Sequence, residues 1–204
     1  MTSASDSIFD EAYYQHFYGD KKTSVVDHDH MDRLGAMVCS YLQYLRLPVH
    51  RVLDIGCGIG LWRDLIAKHY PQASYHGVEY SGYLCQRFGW ERGSVLDYQA
   101  KSPFDLVICQ GVLPYLSATD AKVAMHNLGR LCHGGLYVEA VAREDWECGI
   151  VDETLTDPRL FKHPAQLYRS GLAKSFDALG GGLWLSRQAE VPVFALECVN
   201  GARS

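Results

Sequence analysis

A chain of 204 residues, 48% hydrophobic and 21% charged, has room for one sizeable α/β core and little for a second. A formal net charge of -5 excludes the basic footprint of a nucleic-acid-binding protein, so a small-molecule substrate is expected. No segment reaches the ~18 apolar residues of a membrane span, and the opening Met-Thr-Ser-Ala-Ser-Asp lacks the basic-then-apolar start of a secretion signal. The expectation is a cytoplasmic monomer or homodimer.

Residues 1–30 are rich in aromatic side chains (Phe9, Tyr13, Tyr14, Phe17, Tyr18) and read as a cover over a pocket. Asp27-His28-Asp29-His30-Met31-Asp32 has a metal-binding look, but His28 and His30 would share a face only on a strand and no third ligand stands at a fixed distance. We read it as a polar linker entering a helix at 31–45, expect no metal, and keep both histidines as candidate bases.

From Arg51 onward short apolar runs alternate with amphipathic stretches of helical length, the order a parallel sheet with crossover helices requires. Strands are predicted at 51–55, 74–79, 92–95, 104–109 and 136–141, all as fully buried runs. Helices are predicted at 61–69, 82–88 and 118–131, the last ending at His133-Gly134-Gly135 through a left-handed glycine. Residues 142–163 form an irregular segment with Trp146 and Phe161. A helix over 164–178, then Gly180-Gly181-Gly182 and strands at 183–187 and 193–199, completes the chain as a hairpin. Seven cysteines without a Cys-x-x-Cys pair suit buried reduced thiols.

The chemistry is concentrated at Asp54-Ile55-Gly56-Cys57-Gly58-Ile59-Gly60, where a strand passes into a helix and glycines let the backbone approach a ligand. A dinucleotide fingerprint would place its third glycine at position 61, but Leu61 stands there and the glycine is at 60. Glu79 ends the next strand, where an acidic residue is expected to meet ribose hydroxyls. Asp54 at the loop entrance suits a ligand with an ammonium group and would repel a pyrophosphate; alternatively it caps a turn.

Asp54-x-Gly56-x-Gly58-x-Gly60, Glu79, and Phe104-Asp105-Leu-Val-Ile-Cys-Gln110 together resemble three successive motifs of class I methyltransferases. The resemblance covers residues 50–141 and implies a Rossmann-like seven-stranded sheet, mostly parallel with an antiparallel last strand, and S-adenosylmethionine as cofactor. It implies that Asp54, Gly56, Cys57, Gly58 and Gly60 surround the methionyl part, Glu79 the ribose, and Ser94 and Val95 the adenine, with Tyr80 among the cofactor contacts. Gln110 and Tyr18 complete this set. The family often carries aspartate at the place of Ser94, and Asp97 is the alternative partner there.

Methyl transfer mainly needs alignment, so a general base is optional and the acceptor is poorly encoded. The segment Cys109-Gln110-Gly111-Val112 lacks the Asn/Asp-Pro-Pro-Tyr run of relatives that hold planar nitrogens. Trp146, Glu147, Asp152, His163, Tyr168 and Arg169 are the expected acceptor side, with His28, His30, Trp146 and His163 as candidate catalytic groups. The expected organisation is one methyltransferase domain: a lid and helix over 1–45, a cofactor core over 50–141, a substrate-side insertion over 142–163, and a last helix with a strand pair over 164–204. The expected activity is methylation of a small metabolite at oxygen or nitrogen. The alternatives are a cofactor-binding protein that recruits a partner without turnover and, less favoured, an NAD-dependent oxidoreductase.

Overall fold

Strands that lie mid-sheet must be apolar on both faces, and this determines which segments occupy its centre. A computed structural model describes residues 8–19 and 28–199. In chain order it runs α1 (Glu11–Tyr14) with a π-turn at Gln15–Gly19, α2 (His28–Tyr44), β1 (Arg51–Ile55), α3 (Leu61–His69), β2 (Ser74–Glu79), α4 (Gly82–Phe88), β3 (Glu91–Arg92) and β4 (Phe104–Gln110). Then come a 3-10 turn at Leu113–Tyr115, α5 (Ala118–Leu131), β5 (Cys132–Glu139), α6 (Arg143–Glu147), α7 (Ala165–Leu172), β6 (Phe176–Gly180) and β7 (Leu183–Ser186).

The strands form one sheet in the order β3-β2-β1-β4-β5-β7-β6, with β7 antiparallel to both its neighbours and the other pairings parallel. Alternation along each strand divides the core. Leu53, Ile55, Val107 and Leu136 pack with Met125 and Leu128 of α5 and Leu172 of α7. Val52, Leu106, Ile108 and Leu185 pack with Val38 and Leu42 of α2 and Trp62, Leu65 and Ile66 of α3. Not every strand is a buried run: β2 alternates exposed and half-buried residues before reaching Val78 and Glu79, because only its carboxyl half enters the core.

The chain leaves β1 toward β2 on one side and reaches β4 and β5 on the other. The carboxyl ends of β1 and β4 therefore flank the point where strand order reverses, and a crevice opens there.

Further expectations require correction: the strand predicted over 92–95 is only Glu91–Arg92, with both residues exposed. The helix predicted over 164–178 ends at Leu172, and residues 176–180 are a strand whose Phe176 is 1% exposed. The hairpin therefore joins β6 to β7 across Gly181-Gly182. The segment 193–199 forms no strand: β6 already occupies the free edge of β7, and the segment makes a 3-10 turn at Ala195–Glu197 with Leu196 fully exposed. Finally, α5 passes directly into β5 through an extended Cys132, and neither Gly134 nor Gly135 has a positive φ. Gly134 is required for close approach, since a Cβ there would lie 2.0 Å from the Asp105 carbonyl oxygen.

Gly134→Ala is expected to destabilise the fold by about 1–3 kcal/mol, because the obstructing atom is backbone and has no rotamer to change. Urea unfolding of variant and parent measures this.

Candidate functional site

The loop after β1 is shaped by three glycines with φ of 78°, 54° and 86° at Gly56, Gly58 and Gly60, a region that side-chain-bearing residues rarely enter. Gly56 and Cys57 donate their amides to the Val78 carbonyl, which ties the loop to β2. Gly60 is the N-cap of α3, and a Cβ there would strike the Trp90 ring at 2.7 Å. Trp90 in turn donates its indole N–H to the Gly58 carbonyl (3.0 Å). Around Gly58 no heavy atom lies within 4 Å of where a Cβ would stand, so this part of the loop faces open space.

That space is a cavity of about 760 Å³, inside the ~300–1,000 Å³ range of small-molecule sites. Asp54, Gly56, Cys57, Gly58, Glu79, Tyr80, Ser94, Val95, Gln110 and Tyr18 all line it. Gly60 lies behind the loop against Trp90. Glu79, 6% exposed, accepts the Gly58 amide on Oε2 (2.8 Å) and the Tyr80 and Ser81 amides on Oε1 (2.9 Å each). Asp54, 2% exposed, accepts the Tyr75 hydroxyl at 2.5 Å. Burial pushes the Asp54 carboxyl up to about 7; the Tyr75 hydroxyl works against this and the charge of Glu79 adds to it.

The aromatic N-terminal segment lies over this cavity: Phe9, Tyr13, Tyr14, Phe17 and Tyr18 all line it. Ser81 Oγ donates to the Phe9 carbonyl (2.6 Å), and the Tyr13 and Tyr115 hydroxyls share a hydrogen bond of 2.8 Å. Tyr115 also donates to Asp157 Oδ2 (3.1 Å), and Arg159 grips the same carboxylate from Nε and Nη2 at 2.7–3.1 Å. Burial works to raise the Asp157 carboxyl, but the Arg159 fork, its backbone amide and the Tyr115 hydroxyl outweigh it and hold the group below its ordinary value.

Of the candidate catalytic groups only His30 lines the cavity; His28, Trp146 and His163 lie outside it. His163 stacks on Phe161 and has its Nε2 2.9 Å from the Leu116 carbonyl, while Trp146 lies beneath the Lys162 ammonium. Glu147, Asp152, Tyr168 and Arg169 also lie outside it, and the Phe161 amide on the Pro114 carbonyl pins the insertion to the 3-10 turn. That anchoring turns Leu155, Thr156, Asp157 and Leu160 inward instead. Sequence reasoning missed Asp157, Tyr115, Trp62, Trp90 and Glu139. For Glu139 a signal existed: it ends β5 beside Gln110, at the carboxyl edge where such sheets bind ligands.

Comparison with known proteins agrees with this geometry. Residues 53–137 match the model of a methyltransferase domain family. Trans-aconitate 2-methyltransferase of Pseudomonas paraeruginosa is 32% identical over 118 residues, covering 47% of this chain and 42% of the relative. Over residues 53–137 the chain is thus similar to a methyltransferase domain. Malonyl-[acyl-carrier protein] O-methyltransferase of Legionella pneumophila is 32% identical over 96 residues, covering 42% of this chain and 34% of the relative. The chain thus spans less than half the length of these curated relatives. The sugar N-methyltransferase KedS8 from Streptoalloteichus superposes with a TM-score of 0.62 over 87% of this chain and 93% of its own, at 17% identity, which establishes the fold.

Two outcomes follow from this geometry. The Asp54 carboxyl is raised in the folded state, so the fold binds an extra proton between about pH 4 and 7; its stability contribution is largest below that window and falls as pH rises through it. Urea unfolding of the unliganded protein from pH 4.5 to 8 is expected to show this decline, and Asp54→Asn to flatten it. Tyr115→Phe removes the link between Tyr13 and Asp157, so amide exchange over 11–18 is expected to accelerate about 5- to 30-fold.

Proposed function

We propose that this chain is an S-adenosylmethionine-dependent methyltransferase acting on a small metabolite at nitrogen or oxygen. The observation that carries this reading is the open face of Gly58 between two buried carboxylates, Asp54 and Glu79. An ammonium group suits Asp54, whose carboxylate lies in the cavity wall with the Tyr75 hydroxyl on Oδ2. Glu79 commits three lone pairs to backbone amides and keeps an acceptor position on Oε2 for a ribose hydroxyl. Gly93, Ser94, Val95 and Leu96 line the far end, where a planar base fits. Asn127 supports them from behind by donating to the Val95 and Tyr98 carbonyls, 3.0 Å each.

When bound, S-adenosylmethionine supplies a methyl carbon already activated by its sulfonium. The chain's task is then alignment and exclusion of water. The glycine loop sets the depth of the methionyl part, Glu79 fixes the ribose, and the aromatic lid closes the site from solvent. Gln110 and Glu139 line the same cavity of about 760 Å³, which supports turnover over a binder whose acceptor pocket is filled. The relatives are named for trans-aconitate and malonyl-acyl carrier protein, and KedS8 for a sugar nitrogen. The net charge of -5 favours a metabolite over nucleic acid, and the reduced thiols suit a cytoplasmic setting.

Calorimetry with S-adenosylmethionine, S-adenosylhomocysteine and NAD tests the reading: both adenosyl ligands are expected to bind and NAD to bind far more weakly. Gly58→Asp, which places a charged side chain where the loop is open, is expected to lower their affinity at least 100-fold while the far-ultraviolet circular dichroism stays that of the parent. Tighter binding of NAD overturns the reading.

A further inference from the structure

The walls of the cavity are unbalanced in charge. Asp54, Glu79, Glu139 and Asp157 line it, and among the described residues no lysine or arginine does. The Arg159 guanidinium is committed to Asp157 and sits over the Phe9 and Tyr13 rings, which line the cavity, at 5.7 and 5.1 Å. With Asp54 and Glu79 assigned to the cofactor and Asp157 neutralised, Glu139 is the remaining carboxylate. It stands one strand beyond Gln110 in the direction β1, β4, β5, which is the side of the sheet edge away from the expected nucleoside end.

Glu139 is also held in place. Its Oε2 accepts from Gln110 Nε2 (3.0 Å) and the Tyr137 hydroxyl (3.1 Å), and Gln110 is itself fixed by the Trp62 indole N–H on its Oε1 (2.6 Å). Both donors are neutral, so the carboxylate is oriented without being compensated. Tyr18, Trp62 and Phe17 line the same cavity and offer aromatic faces, which attract cations. A carboxylate acceptor entering here would meet negative charge and, among the described residues, no lysine or arginine, with His30 as the basic side chain in the lining.

We propose that the methyl acceptor is an amine, received at the cavity end of β5 by Glu139 among the aromatic rings of Tyr18, Trp62 and Phe17. This rests on the cofactor reading above. The acceptor's ammonium gives one proton to Glu139, which passes it to water. The freed nitrogen lone pair then forms the N–C bond while the C–S pair stays on sulfur, leaving a neutral thioether and a methylated ammonium. An amine that enters cationic leaves cationic, so Glu139 serves both substrate and product.

The test uses the full chain saturated with S-adenosylhomocysteine and titrated calorimetrically with matched probes: phenethylamine against 3-phenylpropanoate, and cyclohexylamine against cyclohexanecarboxylate. The amines are expected to bind at least 10-fold tighter than their partners. Glu139→Gln is expected to lower amine affinity about 10- to 100-fold while S-adenosylhomocysteine affinity stays within about threefold, which shows that the variant is folded. Equal or tighter binding of the carboxylates, binding of neither series, or unchanged amine affinity in Glu139→Gln overturns the proposal. Failure of the parent chain to take up S-adenosylhomocysteine is a separate result and overturns the cofactor reading first.

Discussion

Three backbone amides converge on the carboxylate of Glu79, and the geometry of the whole crevice follows from that convergence. Gly58 belongs to the loop after β1, Tyr80 and Ser81 to the turn after β2. Left apart, the buried Ser81 amide would lack a partner, at a cost of roughly 1–3 kcal/mol, and the amides of Gly58 and Tyr80 would lose theirs. Joined on one carboxylate they hold the ends of two adjacent strands at a fixed separation, and the Val78 carbonyl adds a second tie by accepting from Gly56 and Cys57. A glycine loop can be open toward a ligand only if something else rigidifies it. Here that support comes from Glu79 in front and Trp90 behind.

A second tie governs how the cavity is covered. The N-terminal segment and the insertion at 142–163 are far apart in sequence, yet both meet at Tyr115 and Asp157. Tyr13 reaches Tyr115 from one side, and the Asp157–Arg159 pair reaches it from the other. Arg159 also lies over Phe9 and Tyr13, so its charge is shared between the insertion's own acid and the lid's rings. The 3-10 turn after β4 is the common footing, and its place just past the strand end keeps both covers over the crevice.

The central strands and their helices were legible because burial on two faces forces continuous apolar runs and amphipathic stretches of helical length alternate with them. Ser81 and Ser117 cap α4 and α5 with their own hydroxyls. The glycine loop and Glu79 were legible because backbone proximity to a ligand leaves a compositional trace. The last third was less so. Phe176 and Leu179 fit a helical period as well as a strand, and only the sheet edge offered by β5 and β7 decides between them. The acceptor side was hardest. Asp157, Tyr115 and Glu139 come together through three separate connections, and no local pattern records a meeting of that kind. Trp146 and His163, conspicuous in the sequence, owe their positions to packing and to a carbonyl partner.

The N-terminal segment and the insertion are tied to each other through Tyr115, which bonds Tyr13 on one side and Asp157 on the other. Withdrawing the N-terminal segment breaks the Tyr13–Tyr115 hydrogen bond and strips Arg159 of its aromatic neighbours; lifting the insertion removes the acceptor of the Tyr115 hydroxyl. Either movement weakens the other cover. The two covers of the cavity, distant in sequence, are thereby joined through a single tyrosine–aspartate latch.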